Sequence, residues 1–570
     1  MLARILLTAL PLLAVYLFTK LRWMRFKQYG KLPQPKTSLV WGHMKALYEV
    51  ISRGKEDRHI DGVFAAMSDD LGNPPMMYID LRPVGRPMLI VNNHEAAEQV
   101  TRATKFFPWS APKSPTIKDL VHLIGERSLL SKQGEDWKRL RKVFNPGFAP
   151  SHLITLLPAI LDKTDIFLEH LDLYAKTGEE FLLNKLLIDL TFDIIGAVLT
   201  DANFEAQHLD PSKRGELIRL YDELVNTFTN NSSSTPWWFS PRVEWKRYRL
   251  ASRIDVLLKD LVRREYAGMR KLNSTKKTPS KKSRSVLSLS LQAWDNMTED
   301  NVREAADSIK TFLFAGHDTT SILLAWLFYE LSRTPRALQA VRDELDDLFG
   351  PDTDPKAVRA KMLAPGGDDL VNRMSYISAV IKETLRLHPP AGTARYPLHG
   401  TGFTMRTPAG EDVCVDGLVI YNCASIIQRD RTVYGETAED FMPERWLGDT
   451  DTSAEADGEV VGDKDEIKDG KKIPAAAWRP FERGPRNCIG QELANIEARV
   501  IVAAVARRYD FVKLGLGEFD ISEKGQPTVD EKGRYKVLEE LYNTMQVTAK
   551  PVDLMRVKVQ LTAKASANLA

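Results

Sequence analysis

A ten-residue segment near the carboxyl end constrains this chain more than any other feature. It reads Phe481-Glu-Arg-Gly-Pro-Arg-Asn-Cys-Ile-Gly490 and places Cys488 between two glycines, two residues after an arginine. Gly484 permits a tight turn, and Gly490 lets the following backbone lie close to a flat group. The alternative is a buried, inert cysteine ahead of an ordinary helix. The pattern favours a loop that presents a thiolate to a bound group.

A cysteine thiolate is the ligand that heme iron needs for oxygen activation, because it pushes electron density onto the metal, whereas histidine suits oxygen carriage. We expect Phe481 to shield the sulfur from water and Arg486 to pair with a heme propionate. The segment therefore predicts that heme b is bound through Cys488 as the axial iron ligand and that the bound heme activates O₂.

A second motif lies within a long segment of helical periodicity. Apolar residues recur at helical spacing between 309 and 327, with a capping residue, Thr298, before them and a helix-ending Pro335 after them. This pattern predicts one long helix.

The middle of that helix, Ala315-Gly-His-Asp-Thr-Thr320, contains poor helix formers where a buried helix favours leucine or alanine. We expect the small pair Ala315 and Gly316 to leave room for dioxygen. Asp318 and Thr319, an acid beside a hydroxyl, are expected to relay protons to it. The alternative is a helix kinked by Gly and Thr, with Asp318 in solvent.

A third motif pairs opposite charges on one helix. Glu383 and Arg386 are three residues apart in a segment predicted to be helical from about Ser375 to the Pro389-Pro390 stop, so they lie on one face. Taken alone, such a pair is usually exposed and contributes little to stability.

Together these motifs resemble those of the cytochrome P450 superfamily, the heme-thiolate monooxygenases, in that family's order along nearly the whole chain. The resemblance implies that the Glu383–Arg386 pair is buried and completed by Arg445, which follows Phe441-Met-Pro-Glu. The role of this network is structural, because it fixes the loop that presents Cys488.

The resemblance also identifies further heme-binding residues. Trp137 and Arg141 lie one helical turn apart and are similar to the family's propionate-binding pair. Arg395, beyond the double proline, resembles another propionate ligand.

The expected fold class is mainly α with a minor β-sheet region, and the resemblance implies the cytochrome P450 fold as a single heme domain over residues 37–570. The residue pattern predicts strands at Met77–Leu81 and Met88–Val91, helices from about Asn93 to Leu387, and a small sheet between Gly400 and Ile420. Two polar segments, 271–285 and the acidic insertion 448–472, are expected to be surface loops.

The amino terminus is apolar from Ile5 to Phe18 except for Thr8. Residues 1–24 are expected to form an uncleaved transmembrane anchor, since no small-residue cleavage site precedes the cationic stretch. Cations follow the apolar run in excess, which predicts a single-pass protein of the endoplasmic reticulum membrane with its catalytic domain facing the cytoplasm. Residues 25–36, basic and proline-containing, resemble the family's hinge.

Composition limits the kinds of partner that the protein is expected to bind. A net charge of +3 with 27% charged residues is typical of an ordinary globular protein and gives no sign of nucleic-acid binding. Three cysteines, at 414, 423 and 488, argue against a disulfide framework. The sequence shows neither a dinucleotide fingerprint nor an iron–sulfur pattern, so the electrons are expected from a separate NADPH-dependent flavoprotein reductase.

Four cations are candidates for docking that reductase: Lys138, Arg139, Lys142 and Arg483. A solvated helix face explains them equally well.

The predicted function is insertion of one oxygen atom from O₂ into a small apolar organic substrate. General features resemble filamentous-fungal members that serve secondary-metabolite biosynthesis. Two alternatives stay open: the same cofactor used for desaturation, epoxidation or ring rearrangement, and a non-catalytic membrane heme sensor or scaffold. Retention of Asp318 and Thr319 argues against the sensor, because a sensor needs no proton relay.

Overall fold

The computed structural model describes residues 2–208, 210–228, 240–274, 285–294, 296–407, 410–447, 466–468, 471–544 and 546–569. Over these ranges the chain is mainly helical with small sheets, which confirms the predicted fold class at that level. The α-helices are α1 Leu2–Phe26, α2 Met44–Ser52, α3 Ile60–Asp70, α4 His94–Thr101, α5 Val121–Ile124, α6 Gly134–Phe144, α7 Pro150–Leu153, α8 Leu157–Thr177, α9 Leu183–Thr200, α10 Glu216–Val225, α11 Pro241–Ser274, α12 Val286–Leu291, α13 Glu299–Arg333, α14 Pro335–Phe349, α15 Pro355–Leu363, α16 Gly367–Asn372, α17 Ser375–Leu387, α18 Ala424–Ile427, α19 Arg431–Tyr434, α20 Gln491–Val505 and α21 Ala563–Leu569.

The strands form four small sheets within the described ranges. They are β1 Met76–Ile79, β2 Met88–Val91, β3 Phe181–Leu182, β4 Thr393–Arg395, β5 Thr404–Arg406, β6 Asp412–Cys414, β7 Val419–Asn422, β8 Glu466–Lys468, β9 Lys471–Ile473, β10 Tyr509–Lys513 and β11 Arg556–Leu561. Their orders are β1-β2-β7-β4, β10-β11-β3, β5-β6 and β8-β9. The two predicted strands match β1, shifted by one or two residues, and β2.

The chain divides into two compact units. The first comprises residues 1–115, 392–438 and 476–487, and the second comprises residues 116–391, 439–475 and 488–570.

The core of the first unit is its four-stranded sheet, in which β2 and β7 are parallel and Met88 lies opposite Val419. Successive side chains of a strand point to opposite faces. Accordingly, Met77 and Ile79 join one apolar cluster with helix α3, whereas Met76 and Tyr78 join another. The sheet is therefore covered on both faces, which explains its nearly continuous apolar strands.

Helix α1 belongs to the first unit, and a buried ion pair holds its last turn in place. The side chain of Arg25 is 2% exposed, and its Nη1 lies 2.7 Å from Asp80 Oδ2. Arg25 also donates to the carbonyls of Leu39, Val40 and Arg82. The sequence assigned Arg25 to a basic hinge, but it belongs to the helix and to a buried ion pair. Among the described residues, no helix combines the length and apolarity that crossing a membrane requires.

The second unit is organised around α13, whose side chains are mostly buried and which packs along α9. The Thr298 side chain accepts the Asn301 N–H at its start, and Pro335 opens the next helix after Arg333. The predicted helix is confirmed at both ends, as is the helix from Ser375.

The two predicted surface loops fall largely outside the described residues. Of the predicted loop 271–285, the described ends belong to helices, since α11 continues to Ser274 and Ser285 caps α12. In the acidic insertion, the described residues belong to the antiparallel strand pair β8-β9. Residues 275–284, 448–465 and 469–470 lie outside the described ranges.

Candidate active site

The segment that precedes Cys488 is a strained turn that only glycine fits. Gly484 has a φ of +76°, and a Cβ placed there would lie 2.2 Å from the Thr101 carbonyl oxygen. The Asn487 N–H donates to the Gly484 carbonyl at 3.0 Å and closes the turn. Both the conformation and the close approach of backbone to backbone require glycine.

Glu482, which is not part of the predicted site, stabilises this turn. Glu482 Oε1 accepts from Arg479 Nη2 at 2.6 Å, and Glu482 Oε2 accepts from Asn422 Nδ2 at 3.2 Å. Burial alone would raise the pKa of Glu482, but the charges of Arg479 and Arg395 bring it below its usual value. The carboxylate is therefore ionised and holds the turn between two cations.

Two other side chains of the Cys488 segment, the aromatic Phe481 and the cationic Arg486, also lie in the first unit. Phe481 is half-buried, with its ring 6.0 Å from that of Trp478. Arg486 is 8% exposed. Neighbouring Arg483, expected in a docking patch, donates to Glu98 Oε1 at 2.9 Å, so its charge is already paired.

Arg395 has a hydrogen-bonding capacity that the protein leaves unused. It is fully buried in β4, and its Nη1 donates to Ser110 Oγ at 3.2 Å and to the Ala111 carbonyl at 3.3 Å. Within the described ranges, its Nε and Nη2 have no hydrogen-bond acceptor. Burial lowers the pKa of Arg395, although Glu482 raises it. A buried guanidinium in this state fits an anionic ligand, because leaving its donors unmet costs free energy.

In the second unit, Cys488 lies directly before α20 and is exposed. Gly490 occupies the N-cap position, and a Cβ there would meet only Cys488 Sγ, at 3.9 Å. The protein itself therefore does not demand glycine at 490, in contrast to 484. This leaves the expected close approach of a flat group as the reason for Gly490.

Helix α6 carries the predicted aromatic and arginine pair. Trp137 is 5% exposed, and Arg141 is partly buried with its Nε 2.8 Å from Asn145 Oδ1. Burial lowers the pKa of Arg141, and the nearby charge of Cys488 partly offsets this. Cys488 and Arg141 are thus within electrostatic reach of one another.

The remaining cations of α6 point outward. Lys138, Arg139 and Lys142 are all exposed, and Arg139 Nη2 lies 2.6 Å from Glu304 Oε1. The helix therefore separates a buried aromatic face from a cationic surface.

In the α13 motif, the small and polar side chains differ in their surroundings. Thr319 Oγ1 donates to the Ala315 carbonyl at 2.8 Å, and Ala315 itself is exposed. A Cβ on Gly316 would lie 2.7 Å from Ile195 Cγ1, so this glycine is explained by close packing with α9. Of the small pair, only Ala315 is on an open side of the helix.

Asp318 is neither in solvent nor hydrogen-bonded to Thr319. It is 1% exposed, and its Oδ1 lies 2.6 Å from Lys550 Nζ. The hydroxyl of Thr548 donates to its Oδ2. Burial would raise the pKa of Asp318, but the charge of Lys550 brings it below its usual value. No local motif marks Thr548 or Lys550, so neither residue is predictable from the sequence.

The Glu383 network is buried, as the resemblance implied. Arg386 Nε and Nη2 each donate to one Glu383 oxygen at 2.9 Å, and Arg445 Nε lies 3.0 Å from Glu383 Oε1. Trp446 Nε1 adds a fourth contact at 2.9 Å, which the sequence did not predict. All three charged side chains have zero exposure.

The chemistry of the described residues in each unit fits heme. In the second unit, an exposed thiol at the start of a helix offers a metal ligand, and Ala315 leaves one side of α13 open. In the first unit, the unmet donors of Arg395 suit a carboxylate.

Comparison with known proteins agrees with this chemistry. Residues 49–537 match the family model described as Cytochrome P450. The chain is 30% identical over 495 residues to cytochrome P450 monooxygenase acrF of Aspergillus aculeatus, covering 84% of this chain and 92% of that protein. It is also 30% identical over 522 residues to cytochrome P450 monooxygenase polC of Polytolypa hystricis, covering 88% and 85%. A bifunctional cytochrome P450/NADPH–P450 reductase of Gibberella moniliformis is 26% identical over 440 residues, which cover 75% of this chain and 34% of that protein.

Proposed function

This chain belongs to the cytochrome P450 family of monooxygenases, and from that premise we propose that it hydroxylates a small apolar organic substrate. In the proposed reaction, O₂, two electrons, two protons and the substrate C–H bond yield a C–OH bond and water. Heme b, when bound, supplies the oxygen activation. The observation that carries this proposal is the exposed Cys488 directly before α20.

The residues around that cysteine have separate tasks. Cys488 would hold the heme iron through its thiolate, Phe481 would shield the sulfur, and Gly490 would allow the flat group to approach closely. Arg486 would bind a propionate. The Gly484 turn supports this assignment, because it holds the backbone of the segment in one conformation.

Three further side chains bind propionates: Trp137, Arg141 and Arg395. The unmet donors of Arg395 support its role most strongly, since a propionate would satisfy a fully buried guanidinium. Residues 37–570 serve as one heme domain in this account.

Glu383, Arg386 and Arg445 have a structural role. Their mutual hydrogen bonds are fully desolvated, and a buried bidentate network of this kind is geometrically specific. Proton delivery belongs to Asp318 and Thr319, with Ala315 leaving room for dioxygen.

We propose that a separate NADPH-dependent flavoprotein reductase supplies the electrons. The bifunctional relative supports this, because it joins a P450 and such a reductase in one protein. The exposed Lys138 and Lys142 of α6 are proposed as docking cations for an acidic partner. The similarity to fungal monooxygenases supports a role in secondary-metabolite biosynthesis.

We further propose that α1 attaches the protein to the endoplasmic reticulum membrane, with the catalytic domain in the cytoplasm. Exposed apolar side chains such as Leu12, Val15 and Phe18 support attachment. Deleting residues 2–23 keeps the Arg25–Asp80 ion pair and should release the protein from the membrane fraction. Resistance of the full chain to carbonate extraction would indicate a span, extraction would indicate surface attachment, and recovery of the full chain in the soluble fraction would refute both.

The reaction is tested by incubating the purified protein under ¹⁸O₂ with a fungal NADPH–P450 reductase. An apolar extract of the organism that encodes the protein supplies the candidate substrates. We expect NADPH-dependent products that carry one ¹⁸O atom. Oxidised products without label would point to desaturation, and the absence of any NADPH-dependent product from a fully heme-loaded protein would favour the sensor alternative.

A further inference from the structure

The carboxyl-terminal excursion between β10 and β11 reaches the helix that carries the proposed proton-delivery pair. It comprises residues 514–555 and includes both Thr548 and Lys550. Thr548 and Lys550 lie beyond the 49–537 range that the family model matches.

Lys550 is held in place by its surroundings. The Ala549 N–H donates to the Pro390 carbonyl at 2.9 Å, and the Lys550 carbonyl accepts the Thr544 N–H at 2.8 Å. The lysine is 5% exposed. A lysine almost never becomes this buried without a charged partner. Here the partner is Asp318, with Lys550 Nζ 2.6 Å from Asp318 Oδ1.

The groups around Asp318 and its neighbour His317 come from three elements. The excursion supplies the Lys550 ammonium and the Thr548 hydroxyl, and α13 itself supplies the buried His317. Burial lowers the pKa of His317, so its imidazole is neutral near pH 7. Helix α9 supplies the Thr191 hydroxyl, which binds the His317 carbonyl at 2.9 Å. Lys550 is therefore the one full positive charge among these groups.

We propose that Lys550 is a positioning residue for proton delivery, which keeps Asp318 anionic and fixes its carboxylate on α13. The inference rests on the proposed monooxygenase function. An ionised Asp318 can accept a proton from the solvent side and pass it toward Thr319, whereas a neutral one cannot accept it. Without Lys550 the buried carboxyl would hold its proton at neutral pH, because desolvation favours the neutral form.

The ion pair itself is tested by the reactivity of the lysine amine. Reductive methylation of the holoenzyme followed by peptide mass spectrometry should leave Lys550 unmodified in wild type, while exposed Lys138 reacts. In Asp318→Asn the pair is broken, and Lys550 should become reactive. Equal modification of Lys550 in the two proteins would overturn the proposal.

The functional role is tested with Lys550→Met, Lys550→Arg, Asp318→Asn and the Asp318→Asn/Lys550→Met double variant, all with the reductase. At pH 7, NADPH oxidation by Lys550→Met should fall by about tenfold or more. The rate should recover as the pH rises and Asp318 ionises, and Lys550→Arg should stay near wild type.

The double variant separates positioning from general structural support. It removes both partners of the ion pair, so it avoids the unpaired buried carboxyl group whose desolvation destabilises Lys550→Met. If Lys550 acts through Asp318, the double variant and Asp318→Asn should have the same NADPH oxidation rate. An additive loss, or a Lys550→Met pH profile like that of wild type, would overturn the inference alone. A wild-type protein without a thiolate-type carbon monoxide spectrum would overturn the proposed function as well.

Discussion

Arg445 Nε lies 3.0 Å from Glu383 Oε1, and neither side chain has any exposed surface. Since Arg386 binds the same carboxylate, one negative charge stands between two guanidinium groups. A carboxylate that is buried in this way depends on its partners, and the partners depend on it.

Glu383→Gln should therefore destabilise the folded protein by about 3–5 kcal/mol, because it leaves two buried guanidinium groups without a counter-charge. The measurement is the urea dependence of the carbon monoxide spectrum. Glu216→Gln is the matched control, since Glu216 pairs with Arg253 at 2.7 Å on the surface. We expect no change in its midpoint. Equal midpoints for Glu383→Gln and wild type would refute the structural role of the network.

Gly484→Ala should destabilise the folded protein by more than the free-energy cost of a positive φ alone. Gly400 has a φ of +84° with no atom near its Cβ position, whereas at Gly484 the Thr101 carbonyl oxygen is 2.2 Å away. Gly400→Ala should cost about 1–3 kcal/mol from backbone strain. Gly484→Ala should exceed that cost and lower heme content. Similar unfolding midpoints for the two variants would mean that the close approach does not matter.

Arg395→Gln should accelerate heme loss by about tenfold, since it removes a charged hydrogen-bond donor from a propionate. Transfer of heme to apomyoglobin measures this rate. Arg406→Gln is the control, because Arg406 is an exposed strand arginine paired with Asp412 at 3.2 Å. If Arg395→Gln and Arg406→Gln lose heme equally slowly, Arg395 does not bind the group.

His43 should make the protein less stable in acid. Its Nδ1 accepts the Asp80 N–H at 2.8 Å, and burial lowers its pKa from 6.5 to about 4. The unfolded chain therefore binds a proton more readily, and stability falls as the pH drops from 6.5 to about 4. The loss is about 3 kcal/mol if the whole shift is realised. His43→Gln should flatten this part of the stability profile, and an unchanged acid limb would contradict the assignment.

The sequence predicted the parts of the fold that depend on local chemistry. Thr298 and Pro335 gave both ends of α13, and Met88–Val91 gave β2, because caps, proline and apolar runs act on their own neighbourhood. Arg25 is one of the cations that follow the apolar run, and it lies in the predicted basic, proline-containing hinge 25–36. Charge counting does not distinguish a solvated cation from one that is buried against Asp80.

The candidate site was predictable where a motif carries it and hidden where it depends on distant residues. Cys488 and the Glu383 pair come from short motifs, and their positions in the structure fit those motifs. Thr548 and Asp318 are 230 positions apart, and no periodicity or spacing connects them. The surroundings of Asp318 are thus a property of the tertiary fold.

The most direct test of the account is the absorption spectrum of the reduced, carbon monoxide-bound protein beside Cys488→Ser. We expect a strongly red-shifted Soret band in wild type, because the thiolate of Cys488 binds the iron. This band should be lost in Cys488→Ser. Cys414→Ser, at an exposed strand cysteine, should keep the band. A wild-type protein that binds heme without this band, or a Cys488→Ser protein that retains it, would contradict the central claim.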